Sequence, residues 1–299
     1  VYVNKDGTVR FDMTELPITH FRPQEIGCSI EKAHALGYSH DIHGRELTDP
    51  SQVVEIRPQD VILPAGPDGL EEQSDKVLYR VACFVDELLQ KLYSQKPYYK
   101  LKEPEDLIGH YVIGLAPHIS AGTVGRIIGF STAQGMLAHP LLHAAMRRDC
   151  DGDEACVILL MDALLNFSRN YLPATRGAKT MDAPLVLTSK VVPSEVDDMV
   201  HGLDIVWEYP LELYKAAEEM KNPWDIHIDQ VKHFLGTERQ YEKVGYTHEI
   251  KDINLGVTCS AYKVLPSMEE KIKGQMELAE KIRAVDASDV ARLVIEKHL

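Results

Sequence analysis

The chain has 299 residues, of which 44% are hydrophobic and 26% are charged, and its formal net charge at pH 7 is −14. This balance is typical of a soluble globular protein with one large domain or two of ordinary size. No apolar run approaches the roughly 20 residues of a membrane span, and no secretory leader opens the sequence, so we expect a cytoplasmic protein with no membrane partner. The acidic charge argues against a stand-alone nucleic-acid binder, because such proteins hold phosphates with Lys and Arg.

The first predicted elements are short strands and one long helix. Strands are predicted at 53–56 and 61–63, and a 3.6-residue apolar period predicts an amphipathic helix over 77–92. The runs at 111–116 and 123–128 are rich in β-branched residues and interrupted by glycines. They predict short, bent strands in which glycine permits a bulge or a close backbone approach, as a small barrel would need.

Helices dominate the later part of the chain. The apolar block 155–161 fits either a strand or the start of a buried helix, and helix is predicted to continue to residue 171. The remaining predicted elements are a strand at 183–188, a helix at 211–220, and a helix that a capping box opens at Ser267 and that runs to about residue 284. We therefore expect two domains, 1–190 and 191–299.

The five cysteines contain no Cys-x-x-Cys pair, which argues against a structural zinc site. A disulfide framework is also not expected in a chain of this length. The sequence begins at Val1 inside a strand-like stretch and ends at Leu299 inside a helical pattern. We expect it to be a piece of a longer protein.

The residues that indicate chemistry are three alternating aspartates, Asp149, Asp151 and Asp153, which follow Arg147 and Arg148. Residues two apart in an extended or looped backbone point the same way, so their carboxylates can converge. Like charges at close range raise each other's pKa, and a divalent cation removes that cost. Carboxylate oxygens suit Mg²⁺, which binds one or two carboxylates together with substrate phosphates.

Other interpretations of this acidic run remain open from the residues alone. A solvated turn built on Asp-Gly is ordinary turn chemistry. An EF-hand is excluded, because counting from Asp149 puts Glu154 at the position of the required Gly and Leu160 at that of the required Glu. The apolar segments on both sides of the run, and the adjacent arginines, favour a metal site for a phosphate-bearing substrate over a solvated turn.

Several longer blocks carry a family resemblance. His139-Pro140, then Ala144-Ala145, then Asp151-Gly152-Asp153 resembles the catalytic loop of the double-psi β-barrel polymerases, and most closely that of the large subunit of archaeal family-D DNA polymerase. The other blocks that carry the resemblance are 19–23, 109–118, 120–129, 143–154, 162–168, 181–184 and 281–286. Together they cover nearly the whole chain.

This resemblance implies an α+β fold, with a double-psi β-barrel that has helical insertions and is followed by a mainly helical region. It implies template-directed DNA synthesis with Mg²⁺, in which Asp151 and Asp153 hold the catalytic metal. The implied partners are a primer-template, dNTPs, a small proofreading exonuclease subunit and, through parts outside this chain, a sliding clamp. The alternative function is a non-catalytic module that binds the small subunit or duplex DNA. A nucleotide-sugar transferase that uses Asp-x-Asp has no supporting block.

The chain departs from the family in ways that bear on activity. The family usually has Asn where Asp149 stands, so that a third metal ligand here would be a carboxylate, with added charge, in place of an amide. Ala155 replaces a frequent acid. The lysine-bearing second barrel lies upstream in the family and is absent, so the chain alone should not polymerise. Candidate phosphate contacts are Arg147, Arg148, Arg176 and Lys179.

Overall fold

Six strands close into a barrel in the computed structural model, which describes residues 1–4, 7–66, 72–116, 119, 121–166, 186–245, 251–256 and 267–298. The described residues form these six and four further strands, numbered here in chain order: β1 (Tyr2–Val3), β2 (Val9–Pro17), β3 (His20–Phe21), β4 (Val54–Glu55), β5 (Asp60–Pro64), β6 (Tyr111–Leu115), β7 (Ala121–Ser131), β8 (Met136–Ala138), β9 (Glu154–Leu159) and β10 (Val186–Thr188). The α-helices are α1 (Ile30–Leu36), α2 (Ser74–Lys91), α3 (Pro140–Ala145), α4 (Leu160–Asn166), α5 (Leu211–Glu218), α6 (Met268–Lys281) and α7 (Ala287–His298).

The barrel is mixed, and its strand order is β2-β8-β5-β7-β6-β9, with β9 returning to β2. β2 runs parallel to β8 and β5 runs parallel to β7, whereas the other four barrel pairings are antiparallel. Outside the ring, β1 pairs with β2, β10 pairs with β7, and β3 pairs with β4. The predicted α+β class with a closed barrel is confirmed.

Strand β2 closes the ring by changing its partner midway. Residues Phe11 to Thr14 pair with β9, and residues Glu15 to Pro17 pair with β8. Closure leaves these six strands without a free edge, which protects them from pairing with other chains. Glu15 is the first residue of the second half of β2.

The predicted bend in the glycine-rich strands is confirmed in β7. The register of β5 against β7 shifts between Val61 and Ile62, whose partners are Ile127 and Gly129. A Cβ atom at Gly129 would lie only 2.7 Å from the Cβ of Ile26 and 2.8 Å from its carbonyl oxygen. Glycine is therefore required here for the backbone to approach this closely.

The main hydrophobic core joins the barrel to α2. It takes alternate residues from the strands, such as Phe11 and Met13 of β2 or Val61 and Leu63 of β5, as the period of a strand requires. The buried residues of α2 lie on one face, as predicted for the amphipathic helix: Leu78, Val81, Ala82, Val85 and Leu89. The helix thus covers the barrel with the face that its apolar period defines.

The apolar block whose structure the sequence left open is divided between two elements. Residues up to Leu159 extend β9, and α4 begins at Leu160. Residues 167–185, where the helix was predicted to end and the strand to start, lie outside the described residues. The end of the predicted strand is described and forms β10 at 186–188.

After residue 190 the described elements are α-helices and 3₁₀ turns, as expected for a mainly helical region. The chain forms two compact units, Val1–Thr258 and Cys259–Leu299. In the second unit, Ser267 caps α6 by accepting the amide of Glu270 at 3.2 Å. A domain boundary near residue 190 stays a prediction. Of the helices described, none has the length and apolar content that crossing a membrane requires.

Candidate active site

The acidic run forms the loop that joins α3 to β9. His139 opens α3, where its Nδ1 accepts the Leu141 amide at 3.1 Å, and Pro140 follows at the first helical position. Within the loop, Arg147, Cys150 and Gly152 have positive φ angles of 60°, 62° and 97°. Such left-handed residues turn the backbone sharply, and only glycine adopts this conformation without strain.

The loop presents its three aspartates to solvent in different degrees. Asp149 and Asp151 are exposed, whereas Asp153, immediately before β9, is half-buried. The backbone of Asp153 is fixed, because its carbonyl accepts the Glu15 amide at 2.9 Å. Its carboxylate lies 3.3 Å from Nη1 of Arg148. Asp151 and Asp153 thus flank Gly152. The side chain of Asp151 is exposed, and the carboxylate of Asp153 is paired with Arg148.

A buried carboxylate and a buried imidazole lie beneath this loop. The side chains of Glu15 and His143 are fully buried, with Oε2 of Glu15 2.7 Å from Nδ1 of His143. Nε2 of His143 faces the carbonyl oxygen of Leu16 at 3.3 Å. Because a carbonyl only accepts, Nε2 is the ring nitrogen that carries a hydrogen toward Leu16. The carboxylate and the ring therefore lie in direct contact as a buried pair.

The charge on Glu15 is stabilised by its neighbours. Burial acts to raise the pKa of this carboxyl, but the hydrogen bond and charge of His143 and the amides of Gly152 and Asp153 outweigh it and lower the pKa. The Gly152 amide donates to Oε1 of Glu15 at 3.4 Å. Two consecutive amides of the acidic loop thus favour the ionised form of Glu15.

Sequence reasoning missed Glu15, although its position carries a signal. Phe11 and Met13 are the buried core positions of β2, and Glu15 continues the same alternation. A charged residue in phase with core residues is rare unless it is paired. His139 and His143 are both buried as well.

The arginines predicted to contact phosphate occupy different environments. Arg147 is exposed, and Arg148 is half-buried beside Asp153. Arg176 and Lys179 lie outside the described residues. The loop therefore offers one cation in solvent and one that is already paired with a predicted metal ligand.

The donor set of the loop fits a hard divalent cation. Asp151 and Asp153 supply carboxylate oxygens at an accessible site, and Mg²⁺ completes its shell with water and substrate phosphates. The three aspartates do not form a ready-made cage, because within the described residues only His227, Asp229 and His233 bring three ligand atoms within 4.8 Å of one another. The metal roles of Asp149, Asp151 and Asp153 stay predictions.

The trio at His227, Asp229 and His233 lies far along the chain from the acidic loop and was not predicted, although its His-x-Asp-x-x-x-His spacing is readable in the sequence. A guanidinium nitrogen of Arg239 lies 3.6 Å from Asp229, and Nδ1 of His233 accepts the Gln230 amide at 3.1 Å. The Arg239 contact would compete with a metal ion for the Asp229 carboxylate.

A closed mixed barrel that carries an exposed acidic loop is the arrangement that the resemblance to the double-psi β-barrel polymerases implied. A family profile described as the catalytic domain of the DNA polymerase II large subunit DP2 matches residues 1–271. The chain therefore belongs to that family, and the resemblance is confirmed.

Relatives match over the whole of the chain. The identity is 54% to the DNA polymerase II large subunit of Pyrococcus furiosus, 53% to that of Archaeoglobus fulgidus and 51% to that of Methanocella arvoryzae. The match covers 23%, 26% and 26% of those proteins, respectively. The chain thus spans about a quarter of the length of these relatives.

Proposed function

We propose that this chain supplies the metal-binding half of the active site of a DNA-directed DNA polymerase, within a longer large subunit. The observation that carries this proposal is the acidic loop at 149–153, which lies at the surface between two elements of the closed barrel domain. The chain belongs to the family of the polymerase catalytic domain. Asp151 and Asp153 would hold Mg²⁺, with Asp149 as a third ligand. Residues 1–190 would form the catalytic barrel domain and 191–299 an accessory region.

The chain's own residues would act by position and charge. When bound, Mg²⁺ lowers the pKa of the primer 3′-hydroxyl and neutralises charge on the leaving pyrophosphate. Asp153, anchored through its backbone, would fix one ligand direction, and Asp151 would adjust to the incoming substrate. Arg147 is free to contact the triphosphate, while Arg176 and Lys179 would contact backbone phosphates. Catalysis of this type depends on alignment and electrostatic stabilisation.

The substrates we propose are a DNA primer-template and dNTPs. The further partners are a small proofreading exonuclease subunit and a sliding clamp, which would be contacted by parts of the large subunit outside this chain. The proposed location is the cytoplasm. The net charge of −14 supports the assignment of most DNA contacts to those other parts, since phosphates are bound by Lys and Arg.

The test is primer extension by the complete two-subunit enzyme with Asp151→Asn or Asp153→Asn. We expect each variant to assemble normally and to lose extension by about a hundredfold or more, because several kcal/mol of charge stabilisation disappears and about 1.4 kcal/mol corresponds to a factor of ten. Asp225→Asn, which changes an exposed aspartate away from the loop, is the matched control.

Retained extension in both loop variants would reject the catalytic assignment. It would favour the second candidate, a non-catalytic module that binds the small subunit or duplex DNA. The observation that favours this second candidate is that Asp149 and Asp151 are exposed and do not form a preassembled set of metal ligands.

A further inference from the structure

The buried pair of Glu15 and His143 bridges the two ends of the acidic loop. At the beginning of the loop, the carbonyl of His143 accepts the amides of Met146 and Arg148, each at 3.0 Å. At its end, Oε1 of Glu15 accepts the Gly152 amide and the Glu15 amide donates to the carbonyl of Asp153. Nδ1 of His143 lies 2.7 Å from Oε2 of Glu15, so this contact connects the two hydrogen bonds at the beginning of the loop with the two at its end.

The place of Glu15 in the barrel makes this bridge rigid. Glu15 lies at the residue where β2 exchanges β9 for β8, so its backbone is held by strand pairing on both sides. Gly152 has a φ of 97°, a conformation that aims its amide at Glu15 and that other residues rarely adopt. The direction of the chain between Asp151 and Asp153 is therefore set by a contact with the barrel.

Packing alone does not explain a charged pair at this position. Removing a carboxylate from water carries a large desolvation penalty, and well-packed apolar residues of similar volume commonly give equal or greater stability than a buried ion pair. Glu15 and His143 are both fully buried. A role in orienting the loop accounts for polar groups at a site where apolar groups would pack as well.

We propose that Glu15 and His143 are positioning residues, which hold the backbone of Gly152 and Asp153 so that Asp151 and Asp153 can bind one metal ion together. This inference rests on the proposed function. Both side chains are fully buried, so neither is accessible to substrate or to a metal ion at the surface. They act through the loop backbone, as groups behind metal ligands do in other metal sites.

The test uses the complete two-subunit enzyme and measures extension against Mg²⁺ concentration at saturating DNA and dNTP. Glu15→Leu removes the acceptor for Gly152, and we expect the Mg²⁺ concentration at half-maximal rate to rise by about 10–100-fold, with the KM for dNTP little changed. Glu15→Gln is the matched conservative variant. Its amide can accept from Gly152 and donate to Nδ1 of His143, so we expect it to stay within about threefold of the wild type.

A second variant covers the case in which Glu15→Leu does not fold. Glu15→Leu combined with His143→Leu leaves no unpaired buried charge, and we expect it to fold and to show the same raised Mg²⁺ requirement. The control variant is Asp60→Asn, which disturbs another, partly buried ion pair of the barrel, between Asp60 and Arg126. It should alter stability without altering the Mg²⁺ requirement.

The proposal is overturned if a folded Leu variant keeps the wild-type Mg²⁺ requirement, or if Glu15→Gln and Glu15→Leu shift it equally. Hydrogen exchange of the peptide that contains Gly152, measured on the same enzymes, separates this result from the proposed function. If Asp151→Asn and Asp153→Asn remain active, the catalytic assignment is wrong. Faster exchange confined to the Leu variants would still report that Glu15 holds the loop.

Discussion

The imidazole of His139, at the start of α3, is held uncharged by the protein around it. Its Nδ1 accepts the Leu141 amide, so the neutral ring carries its hydrogen on Nε2. Burial first, and then the charges of His143 and His20, lower the pKa of His139 to about 3. A histidine whose pKa in the folded protein lies this far below its ordinary value makes the free energy of unfolding depend on pH.

The sign of that linkage predicts loss of stability in acid. Below about pH 6.5 the unfolded chain protonates this histidine and the folded chain does not, so the free energy of unfolding falls as the pH falls, by up to about 1.4 kcal/mol per pH unit until the folded pKa is reached. His139→Asn keeps an acceptor for Leu141 and removes the titration. We expect its stability to fall less steeply than that of the wild type between pH 6 and pH 4, as measured by urea unfolding.

The control for this change is His43→Asn, which alters an exposed histidine. If the wild type and His139→Asn show parallel curves over this pH range, the buried imidazole is not the group responsible.

Residue patterns predicted the exposed half of the site better than its buried half. The alternation of Asp149, Asp151 and Asp153 is visible in the sequence because it is local. The contact of Glu15 with Gly152 joins residues 137 positions apart, and no local period reports it. The left-handed conformation of Arg147 and Cys150 was equally hidden, since neither residue type favours it.

At the scale of the elements, β7 has little space around its backbone at Gly129. Gly129→Ala places a methyl group against the Cβ and carbonyl oxygen of Ile26, neither of which is the mobile end of a side chain. Overpacking of this kind costs about 1–3 kcal/mol. We therefore expect a clear drop in the free energy of unfolding for this variant, measured by urea denaturation.

Gly125→Ala on the same strand is the matched comparison. A Cβ atom there would lie 3.2 Å from Cγ1 of Val61 and 3.5 Å from the Gln59 carbonyl oxygen, which a small shift of one methyl group relieves. Equal losses in the two variants would show that close approach at Gly129 is not the limiting feature of β7.

Element types followed from periodicity more reliably than their boundaries or their partners. The amphipathic helix α2 was predicted because its buried positions repeat along one face. The block that became the end of β9 and the start of α4 could not be assigned, because residues 155–161 are uniformly apolar and show no period that separates a strand from a helix. Which strands run parallel, as β5 and β7 do, depends on long-range packing that no short window contains.

At the scale of the whole molecule, the first compact unit contains its own core. Every residue of the four buried clusters lies at or before Ile253. We expect a chain truncated after Thr258 to keep a cooperative thermal transition and the circular dichroism of a mixed α/β protein, since no core cluster is cut. A truncation after Lys190, which removes the core residues Val191 and Val200, is the informative comparison and should lower the transition temperature.

Non-cooperative melting of the chain ending at Thr258 would contradict this expectation. An unchanged transition temperature in the shorter chain would instead support a domain boundary near residue 190.

The change of partner within β2 has a consequence for how the protein is made. Glu15 pairs with Met136, and Phe11 pairs with Val157, so this strand leaves the ribosome 121 to 146 residues before its partners do. Pairing over such distances is slow, because the chain must close long loops before any contact forms. During synthesis residues 11–17 of β2 lack their partner strands β8 and β9, and an unpaired strand edge is a hazard for aggregation. The acidic loop is attached to that strand through Glu15, so unfinished chains would lack the contacts that Gly152 and Asp153 make with it.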